Sequence, residues 1–216
     1  MPPMVSIVGR SKSGKTTLIE RLLRELTSRG YQVATIKHTP QGMSFDKPDK
    51  DSGRHFQAGS KATIVSSPDT MVLIKPVTSE VTLNEVARLL GEDYDVILTE
   101  GFKHDDAPKI EIHRSKVGPP LNNINKLIAI VTDEPLDTKT RQFSLEDIKA
   151  LADLVDDGFI KPQRERLSLY VNNTPLSLSN FPKEFVTNTL LGMVSSLKGV
   201  GKVRSLDIFL RRGSRK

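Results

Sequence analysis

Gly9-Arg10-Ser11-Lys12-Ser13-Gly14-Lys15-Thr16 fits the pattern G-x-x-x-x-G-K-[ST], in which a glycine-rich loop binds phosphate. The flanking sequence supplies the context that this motif requires. Residues 5–8, Val-Ser-Ile-Val, predict a buried strand, and apolar residues between positions 18 and 26 recur at the spacing of one helical face. A strand, this loop and a helix, in that order, predict a nucleoside triphosphate site.

Several loop positions have a specific chemical role in this prediction. Gly9 and Gly14 allow backbone conformations that direct successive N–H groups at one anion, and the first helix adds the positive end of its dipole. Lys15 is expected to reach the β- and γ-phosphates, and the Thr16 hydroxyl suits Mg²⁺, a hard cation that prefers oxygen ligands. Thr17 offers a second hydroxyl near the α-phosphate.

Composition excludes several classes of protein. The chain of 216 residues has no cysteine, which rules out a disulfide framework and a thiolate metal site. No apolar run approaches the roughly 20 residues that a helix needs to cross a bilayer. The first strand begins almost at the N-terminus, which leaves no room for a signal peptide. We therefore expect a soluble cytoplasmic protein with no membrane partner.

The positive charge lies towards the C-terminus. Residues 161–216 hold 11 Lys and Arg against 3 Asp and Glu, whereas residues 1–160 hold 21 against 23. This asymmetry is typical of a region that meets an anionic partner, and it is equally consistent with a solvated basic face. The aromatic residues of this region are interpreted as core positions, so nucleic acid is not expected as a partner. They are Tyr170, Phe181, Phe185 and Phe209.

Alternating strand and helix patterns predict the fold of residues 1–160. Further strands are expected at 32–36, 62–65, 71–74, 95–99, 110–112 and 127–131. Helices are expected over 83–90, capped by Thr82, and over 145–154, capped by Ser144. This alternation predicts an α/β layer fold with a mostly parallel sheet, in which ligands lie beyond the carboxyl ends of the strands.

Composition changes after Pro162, and residues 161–216 are predicted to form a small basic α+β extension. Strands are expected at 167–171, 176–178 and 205–210, and a helix is expected at 185–197. A ββαβ unit of about 50 residues is marginal for independent stability. We expect it to pack on the main domain or on a partner.

Two regions supply carboxylates for the predicted site. The polar stretch between His38 and Gln57 is interpreted as a switch loop that senses the γ-phosphate and Mg²⁺. Within it, Asp46 and Asp51 are candidates for a contact with Mg²⁺ or its water, and each can equally be a solvated acid. Glu100 follows the apolar strand at 95–99, a position where phosphate-loop proteins place a carboxylate near Mg²⁺.

The base of the nucleotide is less clearly indicated. The guanine-binding pattern N-K-x-D is absent, because residues 125–128 lack the aspartate and enter a strand. Asp133 follows the apolar strand at 127–131 and is a candidate acceptor for the N1–H and N2–H₂ groups of guanine. It can equally be a turn residue before Pro135.

Several of these motifs together resemble those of a known family. The acidic stretch at 46–52, the strand end Thr99-Glu100-Gly101-Phe102-Lys103, and the segment at 109–114 occur in the order seen in MobB. MobB proteins are accessory proteins of molybdopterin-guanine dinucleotide biosynthesis. The resemblance covers roughly residues 4–160, and the C-terminal unit is similar to an extension found in only some members.

The resemblance implies a P-loop NTPase three-layer fold that binds GTP and hydrolyses it weakly, usually as a homodimer. Such a protein assists the molybdopterin guanylyltransferase, and molybdopterin is a further candidate ligand. The matched motif implies that Asp51 and Glu100 lie near the metal with Thr16, that Lys15, Asp51 and Glu100 are the candidate catalytic residues, and that Lys103 and Arg114 line the mouth. Phosphates and Mg²⁺ are then carried by Gly9, Arg10, Ser11, Lys12, Ser13, Gly14, Lys15, Thr16 and Thr17.

The chain also departs from the family pattern. Arg10 and Lys12 stand where small or neutral residues are usual, and they add positive charge beside the phosphates. Asp49 and Gly53 change the local sequence of the switch loop. Two other functions remain as alternatives: a small-metabolite kinase, although the chain has no Arg-rich lid, and a metallochaperone GTPase, although it has no cysteine and only 4 histidines.

Overall fold

The computed structural model describes residues 1–39, 51–163, 166–172 and 174–210, without the side chains of Asp51 and Ser52. The chain divides into two compact units, Met1–Arg164 and Glu165–Lys216.

A parallel sheet of six strands forms the centre of the first unit, in the order β2-β5-β1-β6-β7-β8. A separate antiparallel hairpin is formed by β3 and β4. In chain order the strands are β1 (Met4–Val8), β2 (Val33–Lys37), β3 (Thr63–Ser66), β4 (Met71–Ile74), β5 (Val96–Glu100), β6 (Lys109–Ile112), β7 (Leu127–Thr132) and β8 (Gln142–Ser144).

The first unit has four α-helices among its described residues. They are α1 (Lys15–Ser28), α2 (Asp51–Gln57), α3 (Leu83–Leu90) and α4 (Ile148–Val155), which continues into a π-helical turn (Asp156–Ile160) and a 3-10 turn (Lys161–Gln163). One apolar cluster joins α1 and α4 to one face of the sheet, and a second joins α3 to the other. The result is the three-layer α/β fold that the sequence predicts.

Local sequence explains where the helices begin and end. The apolar stripe of α1 is buried at Leu18, Leu22 and Leu26, and Gly30 adopts φ 88° just after the helix. Thr82 caps α3 as predicted, through a reciprocal pair of hydrogen bonds with Glu85.

Three local predictions for the first unit need correction. The polar stretch at 38–57 contains a helix, α2, where no periodicity indicated one. The short edge strand β8 was not predicted, because three residues carry too little pattern. Ser144 ends β8 and does not cap α4. Instead, Asp147 lies at the N-cap position, and its carboxylate accepts a hydrogen bond from the Ser144 N–H.

The second unit is less regular than predicted. It contains β9 (Tyr170–Val171), β10 (Thr174–Pro175) and α5 (Asn180–Ser195). The predicted strand at 205–210 was wrong: these residues form no strand, although their side chains alternate, because no neighbouring strand pairs with them in the part of the chain that the structure describes. The interpretation of Phe181, Phe185 and Phe209 as core residues was also wrong, since all three are exposed.

Candidate functional site

The carboxyl edge of the central sheet gathers most of the predicted site. Because all six strands are parallel, their C-terminal residues meet at one edge. β1 leads directly into the glycine-rich loop at 9–14. β5 ends at Glu100, and β2 ends at Lys37, which pairs with Glu100 in the ladder. On the other side of β1, residues after β6 and β7 reach the same edge.

The loop conformation requires glycine at its first position. A Cβ on Gly9 would lie 2.6 Å from the Ile112 carbonyl oxygen and 2.7 Å from Ser13 Oγ, which is too close for any side chain. Gly14 occupies the N-cap position of α1 with φ 98° and offers no side chain to the helix N–H groups. The amino end of α1 therefore stays open to an external anion.

Lys15 lies over the loop. Its Nζ donates to the carbonyl oxygens of Arg10, at 2.9 Å, and Gly9, at 3.4 Å. Burial lowers the pKa of Lys15, and the neighbouring charges of Lys103 and Lys37 lower it further, against the opposing effect of Glu100. Three cations thus share one small region, and a bound anion would relieve their mutual repulsion.

Thr16 and Glu100 meet at the position predicted for the metal. Thr16 Oγ1 donates to Glu100 Oε2 at 3.0 Å, and Lys37 Nζ lies 3.5 Å from the same oxygen. Mg²⁺ is usually held by one or two protein oxygens together with phosphate and water, so this hydroxyl and carboxylate fit it. Across the described residues, no three side chains of His, Cys, Asp or Glu cluster to hold a metal by themselves.

The remaining predicted acids have different positions. Asp46 and Asp49 lie outside the described residues. Asp51 begins α2, but its side chain is likewise outside the description. His38, which follows β2, does not extend over the loop: its Nε2 lies 3.5 Å from Glu80 Oε1, and its ring contacts Phe102 at 4.9 Å between centroids.

Asp133 lies at the same edge and is already engaged. Its Oδ1 accepts a hydrogen bond from the Ser115 N–H at 2.8 Å, and its Oδ2 is 3.9 Å from Arg114 Nη1. The Ser115 N–H is the main cause of the lowered pKa of Asp133. Arg114 Nη2 in turn approaches within 3.9 Å of where a Cβ of Gly14 would stand. Arg114 therefore links Asp133 to the phosphate loop.

Sequence reasoning missed a row of buried polar residues on β6 and just after it. The alternation of Ile110, Glu111 and Ile112 suggests a half-exposed strand, whereas the topology places β6 in the middle of the sheet, buried on both faces. Glu111 and His113 consequently point into protein. Position within the sheet depends on strand order, which no local pattern reveals.

In the described ranges, none of the helices has the length and apolar character to cross a bilayer.

Comparisons with known proteins agree with this geometry. The family model of MobB, molybdopterin guanine dinucleotide synthesis protein B, matches residues 4–133. The molybdopterin-guanine dinucleotide biosynthesis adapter proteins of Haemophilus influenzae and Escherichia coli are 34% and 35% identical to this chain. Each alignment covers 72% of this chain, and the two cover 88% and 92% of those relatives.

A third relative extends further. The putative molybdopterin-guanine dinucleotide biosynthesis adapter protein of Methanocaldococcus jannaschii is 24% identical over an alignment that covers 95% of this chain and 96% of that relative. The uncovered residues are fewer than those of the second compact unit, so this alignment includes part of that unit.

Solved structures show the same similarity. A crystal structure of molybdopterin-guanine biosynthesis protein B (mobB) matches with a TM-score of 0.58 and 27% identity, and it covers 72% of this chain and 99% of that chain. The crystal structure of Bacillus subtilis MobB matches with a TM-score of 0.56 and 28% identity, over 73% and 98% of the two chains. Sequence and fold therefore lead to one conclusion, that this chain belongs to the MobB family.

Proposed function

We propose that this protein binds GTP with Mg²⁺ at the phosphate loop and, in that state, assists the guanylyltransferase of molybdopterin-guanine dinucleotide biosynthesis. The accessory role in this pathway follows from membership of the MobB family. The observation that supports nucleotide binding is the convergence of Lys15, Thr16 and Glu100 on a loop that closes around Gly9. The cytoplasm is the expected setting.

The residues present favour slow hydrolysis. Thr16 and Glu100 would hold Mg²⁺, which supplies a positive charge beside the phosphates. Lys15 and the loop N–H groups would stabilise the charge that develops as a water oxygen bonds to the γ-phosphorus and the bond to the GDP oxygen breaks. Glu100 is already engaged by Thr16 and Lys37, so it is poorly placed to take the proton of that water. We therefore expect weak GTPase activity.

The positive charge around the loop supports an additional anionic partner. Lys103 and Lys37 act on Lys15, and Arg114 lies beside Gly14. Glu100 and Asp133 offset two of these positive charges, and Arg10 and Lys12 of the loop add two more, so the site carries more positive charge than a triphosphate with one Mg²⁺ balances. We propose that the phosphate group of molybdopterin, or an acidic surface of the guanylyltransferase, meets the remainder.

The hairpin of β3 and β4 supports a homodimer. An isolated two-stranded hairpin is marginally stable in water, and this one exposes Ile64, Val65, Met71 and Leu73. A second copy of the chain would cover identical apolar residues on both subunits. We expect the double variant Ile64→Lys/Met71→Lys to lower the molar mass measured by light scattering to that of a monomer. Wild-type protein that is itself monomeric at micromolar concentration would contradict the dimer.

Calorimetric titration with GTP and ATP, with and without Mg²⁺, tests the proposed ligand. We expect GTP to bind more tightly than ATP and Lys15→Ala to weaken GTP binding by about 100-fold, the effect of losing a strong charge-assisted contact. The exposed Lys139, on the loop before β8, provides the control variant Lys139→Ala, which should bind normally. Unchanged GTP affinity in Lys15→Ala would refute the site. Rapid phosphate transfer to a small acceptor would instead favour the kinase alternative.

A further inference from the structure

The segment at 114–121, here called the strap, follows β6 and lies across the carboxyl edge of the sheet. Four hydrogen bonds from outside the strap hold it at successive positions. They are Ser115 N–H to Asp133 Oδ1 (2.8 Å), His113 Nε2 with the Gly118 carbonyl (3.1 Å), Arg10 Nε–H to the Pro119 carbonyl (2.7 Å), and Leu121 N–H to Glu111 Oε1 (2.7 Å).

One of these bonds comes from the phosphate loop itself. Arg10 is the second residue of the loop, and its Nε–H donates to the carbonyl of Pro119, more than a hundred positions away in sequence. Two neighbouring residues of the strap, Gly118 and Pro119, lie next to this side chain. Gly118 has φ 131°, and a Cβ there would lie 3.5 Å from Nε and 3.8 Å from Cζ of Arg10. Those are ordinary van der Waals distances, so it is the positive φ, which L side chains rarely adopt, that requires glycine beside the guanidinium.

This arrangement leaves part of the guanidinium available. The bond to Pro119 uses Nε, and across the described residues neither terminal nitrogen of Arg10 has a hydrogen-bond partner. A guanidinium is a planar fork of donors that matches phosphate oxygens, so its orientation matters as well as its charge. The strap restricts that orientation because the Pro119 carbonyl holds Nε and Gly118 lies next to the side chain.

A buried carboxylate holds the other end of the strap. Glu111 is 1% exposed and pairs in the sheet with Val8, the residue before the phosphate loop. Its Oε1 accepts from the Leu121 N–H, and its Oε2 has no partner. The strap is therefore attached to β6 through Glu111 and to the phosphate loop through Arg10.

We propose that Arg10 is a positioning residue that couples the strap to the phosphate loop: the strap orients the guanidinium for a phosphate-bearing ligand, and the bound ligand in turn orders the strap. This inference rests on the proposed binding of a nucleoside triphosphate. Such coupling is reciprocal. A change that releases the strap must therefore lower the affinity for the ligand by the same factor by which bound ligand stabilises the strap.

Hydrogen exchange of the full-length protein, measured by mass spectrometry, reports how well the amides of the strap are protected. The informative amides are those of Gly118, bonded to the Arg114 carbonyl, and Leu121, bonded to Glu111. In the wild type we expect GTP with Mg²⁺ to slow their exchange. Arg10→Lys keeps the charge but replaces the planar fork with one nitrogen, which must then serve both the Pro119 carbonyl and a phosphate. We expect it to exchange faster without ligand, to lose the GTP-induced slowing, and to bind GTP about tenfold more weakly, as for one lost charge-assisted hydrogen bond.

Two further variants separate positioning from charge. Gly118→Ala changes no charge but strains the backbone at φ 131°, next to the Pro119 carbonyl that holds Arg10, so it should reproduce the effects of Arg10→Lys. Lys116→Ala removes a strap cation that makes no hydrogen bond among the described residues, and it should behave as wild type. Melting temperatures verify that every variant is folded.

The outcomes are distinguishable. Wild-type exchange and GTP affinity in Arg10→Lys would overturn the proposal, and so would an equal loss of affinity in Lys116→Ala, which would indicate a general charge effect. Failure of the wild type to bind GTP would refute the proposed function. In that case the strap attachment is still decided without nucleotide: faster exchange in Arg10→Lys supports it, and unchanged exchange overturns it.

Discussion

The two compact units show the same local patterns but differ in what those patterns bury. In the first unit, apolar residues of every central strand and of α1, α3 and α4 are buried. In the second unit none of the described residues is buried, and α5 exposes Phe181, Phe185 and Met193. Apolar periodicity therefore corresponds to a closed core only where strands and helices enclose it. In the second unit it produces exposed apolar surface instead.

The largest expected difference between the units concerns truncation of a leucine. Leu22 of α1 is 0% exposed, whereas Leu191 of α5 is 38% exposed. We expect Leu22→Ala to lower the free energy of unfolding by about 3 kcal/mol, since it removes buried contacts and leaves a cavity. Leu191→Ala should cost less than about 1 kcal/mol. Denaturant unfolding measures both. An equal cost would mean that α5 is covered in solution, and the contrast between the units would fail.

A smaller effect is expected at the metal position of the first unit. Thr16→Ala and Glu100→Gln each remove one of the two side chains that meet there. We expect either variant to weaken GTP binding about tenfold in Mg²⁺, in line with one strong polar contact, and to leave binding in excess chelator unchanged. Thr189→Ala, on the exposed surface of α5, is the matched control from the second unit. Equal weakening with and without Mg²⁺ would contradict a metal role.

The contrast between the units also explains what the sequence could predict. β4 occurs at the predicted residues although it is largely exposed, because β3 pairs with it. Five of the six strands of the central sheet lie within one residue of their predicted bounds, because their burial determines their pattern. The strand predicted at 205–210 failed because alternation specifies a strand only when a partner pairs with it. The short helix α2 was missed because its seven residues are largely polar.

The candidate site divides in the same way. The loop at 9–16 and Glu100 could be predicted because each combines a local motif with the end of a buried strand. The contact between Arg10 and Pro119 and the burial of Glu111 could not, since both depend on which strands are neighbours in the sheet. Residues more than a hundred positions apart meet there, and no local pattern carries that information.

A still smaller effect, on the pH dependence of folding stability, should distinguish a buried carboxylate from an exposed one. Burial raises the pKa of Glu111 above its ordinary value of 4.5, so the folded state holds the proton more tightly than the unfolded state. As the pH rises from 4.5 through the raised pKa of the folded state, the carboxyl ionises more readily in the unfolded chain, so the free energy of unfolding falls. Glu111→Gln removes this cost, and the Gln oxygen can still accept from Leu121.

We expect Glu111→Gln to melt about 2 °C above the wild type at pH 8, with a difference that narrows towards pH 4.5. Glu184→Gln, at an exposed position of α5, should show no such pH-dependent difference. Differential scanning calorimetry across this pH range measures both. The opposite result would be a melting temperature of Glu111→Gln that falls relative to that of the wild type as the pH rises from 5 to 8. It would show that a partner stabilises the buried charge.

The smallest effect is expected when the second unit is removed. All the described residues of the candidate site lie in the first unit, so a chain that ends at Arg164 should bind GTP within about twofold of the full-length affinity, a free-energy change below 0.5 kcal/mol. The same truncation removes most of the basic excess of the C-terminal region. If that excess meets the guanylyltransferase, binding to the transferase should weaken while GTP binding does not. A loss of GTP affinity beyond about tenfold would mean that the second unit contributes to the site, and the separation of a nucleotide-binding unit from an exposed, basic unit would then be wrong.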